Sequence, residues 1–293
     1  MKNIFTGSGV ALVTPFHPDY SIDFEALRKL VRYQIDGGTD FLVVQGTTGE
    51  SPTLSQEEKM QILETVIDEN KGRLKIVYGI GGNNTVEVGE KLKKVPQGVD
   101  GILSVSPYYN KPTQQGIIEH FTYLASCTNL PIILYNVPGR TGSNMLPSTT
   151  LKLAEISNVV AVKEASGNME QIMEIIHLKP EGFGVLSGDD AITLPLIVAG
   201  AAGVISVVAN AFPKRFAEMV HESVNENLPQ ARKAHYDLLS ITKMFFEEGN
   251  PGGVKVSLAH QGIMQEIMRR PLHVVSDNLR HRIQNESDRI LKS

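Results

Sequence analysis

Lys163 stands in the stretch NVVAVKEASGN (158–168), where every residue from Val159 to Ala165 is small and apolar except Lys163 and its neighbour Glu164. A run of this kind, closed by Ser-Gly-Asn, is expected as a buried parallel strand. Burying an ammonium without a partner is unfavourable. Such a lysine therefore snorkels to solvent, pairs with a carboxylate, or is placed to shed its proton. Strand alternation puts Ala161, Lys163 and Ala165 on one face and Val160, Val162 and Glu164 on the other. The valine face suits packing against helices, while the alanine face leaves room around an amine. Glu164, the carboxylate nearest in sequence, falls on the opposite face. Desolvation favours a neutral amine, and a neutral amine attacks a carbonyl carbon.

Other polar groups stand where apolar runs end. Thr47 and Thr48 occupy the glycine-flanked turn QGTTGESPT (45–53), and Tyr108 and Tyr109 lie in SPYYNKPT (106–113). Tyr135 and Arg140 belong to ILYNVPGRTG (133–142), and a further run ends in SGDD (187–190). Taken singly these have ordinary readings: a packed tyrosine, a turn, a solvated arginine. Taken with a buried lysine they make one chemistry. Hydroxyls move the protons of an amine nucleophile, and a guanidinium holds a carboxylate through two hydrogen bonds. The eight histidines form no HExxH pattern, and the single cysteine, Cys127, builds neither a thiolate site nor an internal disulfide. P-loop and G-x-S-x-G patterns are missing too. The economical reading is a lysine enzyme that uses no metal and no cofactor.

The elements that must position these groups follow a period. Eight short, β-rich runs recur: VALVTPF (10–16), FLVVQ (41–45), LKIVYGI (74–80), GILSVSP (101–107), PIILYN (131–136), VVAVKEA (159–165), FGVLSGD (183–189) and GVISVVA (203–209). Helical spacing fills the gaps. Phe24, Leu27, Leu30, Val31 and Ile35 share a face, and Ser55 with Glu58 reads as a capping box ahead of Ile62, Val66 and Ile67. Eight strand–helix units predict a closed (β/α)₈ barrel of the α/β class. An open doubly wound sheet would need a glycine fingerprint after its first strand, and VTPFHPD has none. The barrel is expected over residues 1–225, with a helical extension over 226–293. In such a barrel, chemistry gathers at the C-terminal ends of the strands, where the groups above fall.

The 293 residues carry a net charge of −4 and are 41% hydrophobic, an ordinary globular composition without the basic patch that nucleic acid requires. No apolar run reaches the length of a membrane span. The N-terminal MKNIFTGSGVALVTPF lacks a continuous apolar core and is read as mature protein. A cytoplasmic location is expected from this and from the lone cysteine.

The motifs GTTGES (46–51), SPYYNKPT, ILYNVPGRTG, VKEASGN (162–168), LSGDD (186–190) and GVISVVAN (203–210) resemble the dihydrodipicolinate synthase family of pyruvate-dependent class I aldolases. The similarity runs in order from GSGVALVTPF (7–16) to GNPGGVK (249–255). It implies that Lys163 forms an imine with pyruvate, whose enamine attacks L-aspartate-4-semialdehyde to give 4-hydroxy-tetrahydrodipicolinate, the first committed product of the diaminopimelate route to L-lysine. By the same resemblance Tyr135 transfers the protons, Thr47 relays them, and Tyr109 comes from a neighbouring subunit of a homotetramer. Thr48 and Ile205 would hold pyruvate, Arg140 the semialdehyde carboxylate, and Gly188 would let the backbone approach the intermediate. Ser51, Gln56, Lys59, Asn83, Glu87 and Tyr108 match the family's site for L-lysine feedback. Gln56 and Lys59 replace the histidines often found there, so weak inhibition is expected. N-acetylneuraminate lyases and keto-deoxy-sugar-acid aldolases share the lysine and the tyrosine, but Thr47 and Arg140 favour the synthase. NPGGVK (250–255) departs from the family's common NPIPVK and is expected as a loop of altered stiffness.

Overall fold

A computed structural model describes residues 3–292. Eight parallel strands close into a barrel in chain order: β1 (Gly7–Ala11), β2 (Phe41–Val44), β3 (Lys75–Gly79), β4 (Gly101–Val105), β5 (Ile132–Asn136), β6 (Val159–Glu164), β7 (Gly184–Ser187) and β8 (Gly203–Ser206). The seam is β1 against β8, with Gly7 opposite Gly203 and Val10 opposite Ser206. Around it run α1 (Phe24–Asp36), α2 (Gln56–Asn70), α3 (Thr85–Leu92), α4 (Gln114–Ser126), the short α5 (Pro138–Thr141), α6 (Pro147–Ala154), α7 (Met169–Leu178), α8 (Thr193–Val198) and α9 (Pro213–Val224). Three more helices follow, α10 (Leu228–Glu247), α11 (Gly252–His260) and α12 (Asp277–Lys292). The barrel expected from the eight-fold period is the one observed. Among the described residues no helix is long and apolar enough to cross a membrane.

Local chemistry explains where the helices begin. Ser55 Oγ accepts from the Glu58 N–H at 3.1 Å while the Glu58 carboxylate accepts from the Ser55 N–H at 2.8 Å, the reciprocal box read from sequence. Asp23, Asn84, Thr113 and Asn168 likewise each accept from the N–H three residues on, at the starts of α1, α3, α4 and α7. Each of these helices follows a strand, so the caps pin the loops at the rim where the site must lie.

Two apolar layers hold the fold. One fills the space between sheet and helices, with Leu27, Leu30 and Val31 of α1 and Ile62 and Val66 of α2 buried in it. The other fills the barrel itself, where Phe5 and Phe41 plug the interior with ring centroids 5.8 Å apart.

Three expectations are corrected. The first strand is Gly7–Ala11, not residues 10–16. Gly9 is glycine because Phe41 occupies the space inside the barrel: a Cβ there would stand 2.2 Å from that ring, and a Cβ on Gly7 would meet the Asp40 carboxylate. Strict alternation also fails at Val160. Opposite Ile132 and Ile133 stand Val159 and Ala161, so Val160 is an extra residue in a β-bulge and joins the interior with Ala161. Finally, the glycines of NPGGVK begin α11 rather than a loop. A Cβ on Gly253 would lie 2.6 Å from the Cα of Phe245, so this glycine lets α11 close tightly against α10.

Candidate active site

Beyond the bulge, β6 alternates as expected and Lys163 points into the barrel. Its Cα stands opposite Tyr135 of β5 and Leu186 of β7. The residue is 6% exposed, and its Nζ lies 4.5 Å from the centre of the Tyr135 ring. Ala161, Leu186 and Ile205 belong to the same interior cluster as Tyr135, so the amine sits among apolar side chains and one phenol. Among the described residues no carboxylate forms a salt bridge with Lys163. Glu164 faces the other way, fully buried, where its carboxylate accepts from Asn136 Nδ2 and Ser166 Oγ. Burial raises its pKa against those hydrogen bonds. The ion-pair explanation for Lys163 thus loses its nearest partner.

Gly188 closes the floor beside the amine. A Cβ there would stand 2.7 Å from the Cβ of Ala165 and 3.0 Å from the Cε of Lys163. The Gly188 N–H donates to the Glu164 carbonyl at 2.7 Å, which ties the end of β7 to the strand carrying the lysine. Only glycine lets these two backbones approach so closely without displacing the lysine side chain.

The other buried lysine among the described residues shows what a structural lysine looks like. Lys255, in α11, is 0% exposed, and its Nζ donates to Glu50 Oε1 at 2.5 Å and to the carbonyls of Thr14 and Ile267 at 2.7 Å each. Its donors are all used. Lys163 has no such cage.

A cavity of about 1000 Å³ opens at the rim, and Thr47, Tyr135 and Arg140 line it. Thr47 is exposed on a 3₁₀ turn, and Arg140 is exposed on α5, where Pro138 and the αL Gly142 bound a single helical turn. Among the described residues no hydrogen bond joins Thr47 to Tyr135. Thr48, by contrast, is buried, and its Oγ1 accepts from Asn250 Nδ2 at 3.0 Å. Tyr109 stands apart from the interior site: it is 89% exposed with φ +73°, unusual for a residue with a side chain.

The six residues matched to an effector site lie close together. Ser51, Gln56, Lys59, Glu87 and Tyr108 line the same cavity, and Asn83 donates to the Tyr108 carbonyl at 3.1 Å. Glu87 is already paired with Lys91 at 2.6 Å. Lys59 is half-buried, and burial followed by repulsion from Lys91 lowers its pKa.

Sequence reasoning missed Gln45, Glu50, Asp190, Asn250 and Lys255. Gln45 is buried on the cavity wall with φ +67°, and neither amide atom has a hydrogen-bond partner among the described residues. Its signal was weak, a polar residue ending an apolar run. Glu50, Asp190, Asn250 and Lys255 were inside the matched motifs, where only the partner across the fold reveals the role. Among the described residues no cluster of three or more His, Cys, Asp or Glu side chains is placed to hold a metal ion.

Fold and site together define a class: a (β/α)₈-barrel lyase with a buried lysine beside a tyrosine at the C-terminal rim. The chain belongs to the Dihydrodipicolinate synthetase family, whose profile matches residues 4–290. It is 50% identical over 281 residues to the 4-hydroxy-tetrahydrodipicolinate synthase of Flavobacterium psychrophilum, covering 95% of this chain and 96% of that one. It is 53% identical over 268 residues to the enzyme of the same name from Parabacteroides distasonis, covering 91% and 90%. The crystal structure of dihydrodipicolinate synthase from Aquifex aeolicus superimposes with a TM-score of 0.94 at 41% identity, covering 97% and 98%. These relatives favour the synthase over the neuraminate-lyase and keto-acid-aldolase alternatives.

Proposed function

We propose that this chain condenses pyruvate with L-aspartate-4-semialdehyde to give 4-hydroxy-tetrahydrodipicolinate, through an imine on Lys163. The observation that carries the reading is the buried Lys163 amine, unpaired with any carboxylate among the described residues and 4.5 Å from the Tyr135 ring. The amine adds to the ketone of pyruvate, and loss of water from the adduct leaves the imine. Tyr135 is the nearest phenol to give and take the protons of these steps, since its ring and the lysine share one register across β5 and β6. Removing a proton from the pyruvate methyl gives an enamine, whose carbon attacks the aldehyde; the semialdehyde's own amine then adds to the imine carbon, closing the ring and expelling the Lys163 amine. Thr48 and Ile205 hold the pyruvate, Gly188 leaves space beside the imine, Thr47 relays protons, and Arg140 at the mouth receives the second carboxylate. None of these roles needs a metal or a bound cofactor.

Borohydride reduction in the presence of pyruvate, followed by peptide mapping, tests the reading. A reduced pyruvate adduct on Lys163 is expected. A folded protein that gives no adduct overturns it.

Tyr109 is assigned to a neighbouring subunit's site, as the family resemblance implies; in keeping with this it is 89% exposed at φ +73° and is not among the residues lining the cavity at its own chain's rim. A homotetramer is the assembly this reading takes, and sedimentation velocity checks it: a monomer active at full rate removes the role for Tyr109. Ser51, Gln56, Lys59, Asn83, Glu87 and Tyr108 form the proposed effector cleft, with weak affinity for L-lysine. The reading places the enzyme in the cytoplasm.

A further inference from the structure

The turn that is read as holding the pyruvate carboxylate receives a side chain from more than 200 residues away. Asn250 Nδ2 donates to Thr48 Oγ1 at 3.0 Å, and both residues are buried. A threonine hydroxyl has one proton to give and two lone pairs to receive. When Asn250 fills a lone pair, the hydroxyl keeps its own proton for another acceptor. An anion is the acceptor that gains most from such a donor, because a hydrogen bond to a charged group is about twice as strong as one between neutral groups.

The turn itself is held from the same side of the fold. Glu50, at its end and in the left-handed region with φ +55°, accepts from Lys255 Nζ at 2.5 Å and from the Arg269 N–H at 3.0 Å. Thr14 Oγ1 donates to the Gly49 carbonyl at 2.7 Å. Thr48 therefore has little freedom to turn its hydroxyl away, and Asn250 decides which way its proton points.

We propose that Asn250 is a positioning residue that fixes the Thr48 hydroxyl as a donor to the substrate carboxylate; this rests on the pyruvate reading given above. Asn250 acts through Thr48 and need not touch the substrate. Its loss weakens pyruvate binding more than it slows turnover, because the reacting amine and phenol lie on other strands.

The test is pyruvate saturation kinetics on Asn250→Ala, on the isosteric Asn250→Asp, on Thr48→Val and on the double variant Thr48→Val/Asn250→Ala. Removing one charge-assisted hydrogen bond should raise the KM for pyruvate about tenfold or more, with kcat at saturating pyruvate changed less. Asn250→Asp should be worse than Asn250→Ala, since a carboxylate takes the hydroxyl proton and repels the substrate anion. In the Thr48→Val background, Asn250→Ala should add less than about twofold, as expected for two residues acting through one bond. Independent multiplication of the two effects overturns the proposal. So does an unchanged KM in both Asn250 variants. The borohydride adduct on the unmodified enzyme separates the two claims: no adduct removes the pyruvate reading, whereas an adduct with an unchanged KM removes Asn250 alone.

Discussion

Lys59 and Lys163 show how one residue type takes opposite meanings from its surroundings. Lys163 is enclosed by Tyr135, Leu186 and Ala161, and among the described residues no carboxylate pairs with it. Lys59 lies half-buried on a cavity wall with Lys91 near enough to repel it. The Glu87 carboxylate that would welcome an incoming ammonium is already occupied by Lys91 at 2.6 Å. A ligand carrying its own ammonium therefore meets two cations and a neutralised anion. Titrating activity with L-lysine is expected to show no inhibition at sub-millimolar concentrations, and strong inhibition there would refute this account of the cleft. The burial of Lys163 and its inward direction were legible in the sequence, because small neighbours and strand parity are local properties. The effect of Lys91 was not, because it requires knowing that α2 and α3 present their lysines to the same cavity.

At the scale of elements, α11 works as a bolt between the helical extension and the rim. It places Lys255 against Glu50 and the Thr14 carbonyl, while the segment just before it places Asn250 on Thr48. Its close seat against α10 depends on Gly253, where a side chain would meet the backbone of Phe245. The buried Lys255–Glu50 pair also faces the Phe16 ring, 4.6 Å from Nζ. Removing one member strands the other charge in the interior, which costs about 3–5 kcal/mol. Lys255→Met should lose stability on that scale in urea denaturation. The double variant Glu50→Gln/Lys255→Met should recover part of the loss, because no unpaired charge remains. Equal losses in the two would show that packing rather than charge holds the bolt.

For the molecule as a whole, a buried carboxyl under the C-terminal ends of β7 and β8 links fold and pH. Asp190 Oδ2 accepts from the N–H groups of Val207 and Val208 at 3.0 and 3.2 Å, and the Ser206 hydroxyl also hydrogen-bonds the carboxyl and lowers its pKa. Burial outweighs these bonds and pushes its pKa up to about 6 from an ordinary value of 3.8. Between those values the folded chain retains a proton that the unfolded chain has released. The contribution of Asp190 to stability is thus fully present below 3.8 and lost as the pH rises through 6. Asp190→Asn keeps an acceptor for the two N–H groups and removes the ionisation. Relative to the parent protein it should gain stability on going from about pH 4.5 to about pH 7.5, by roughly 1–3 kcal/mol. Denaturation curves at the two pH values check this, and a relative loss at the higher pH would contradict it.

Periodicity, composition and motif order determined the barrel, the buried lysine and the set of residues at the rim. They act over a few residues at a time, and a strand or helix face is written at that range. The tertiary structure alone decided that GSGVA is a strand, since Gly9 makes sense only once Phe41 fills the space beside it. It likewise placed the extra residue in β6 that turns Val160 inward, because a bulge depends on the register of the neighbouring strand. The contacts of Asn250 with Thr48 and of Lys255 with Glu50 span more than 200 residues of chain. No local pattern encodes such a pair; it exists because the barrel closes and brings α11 back over the second strand's loop.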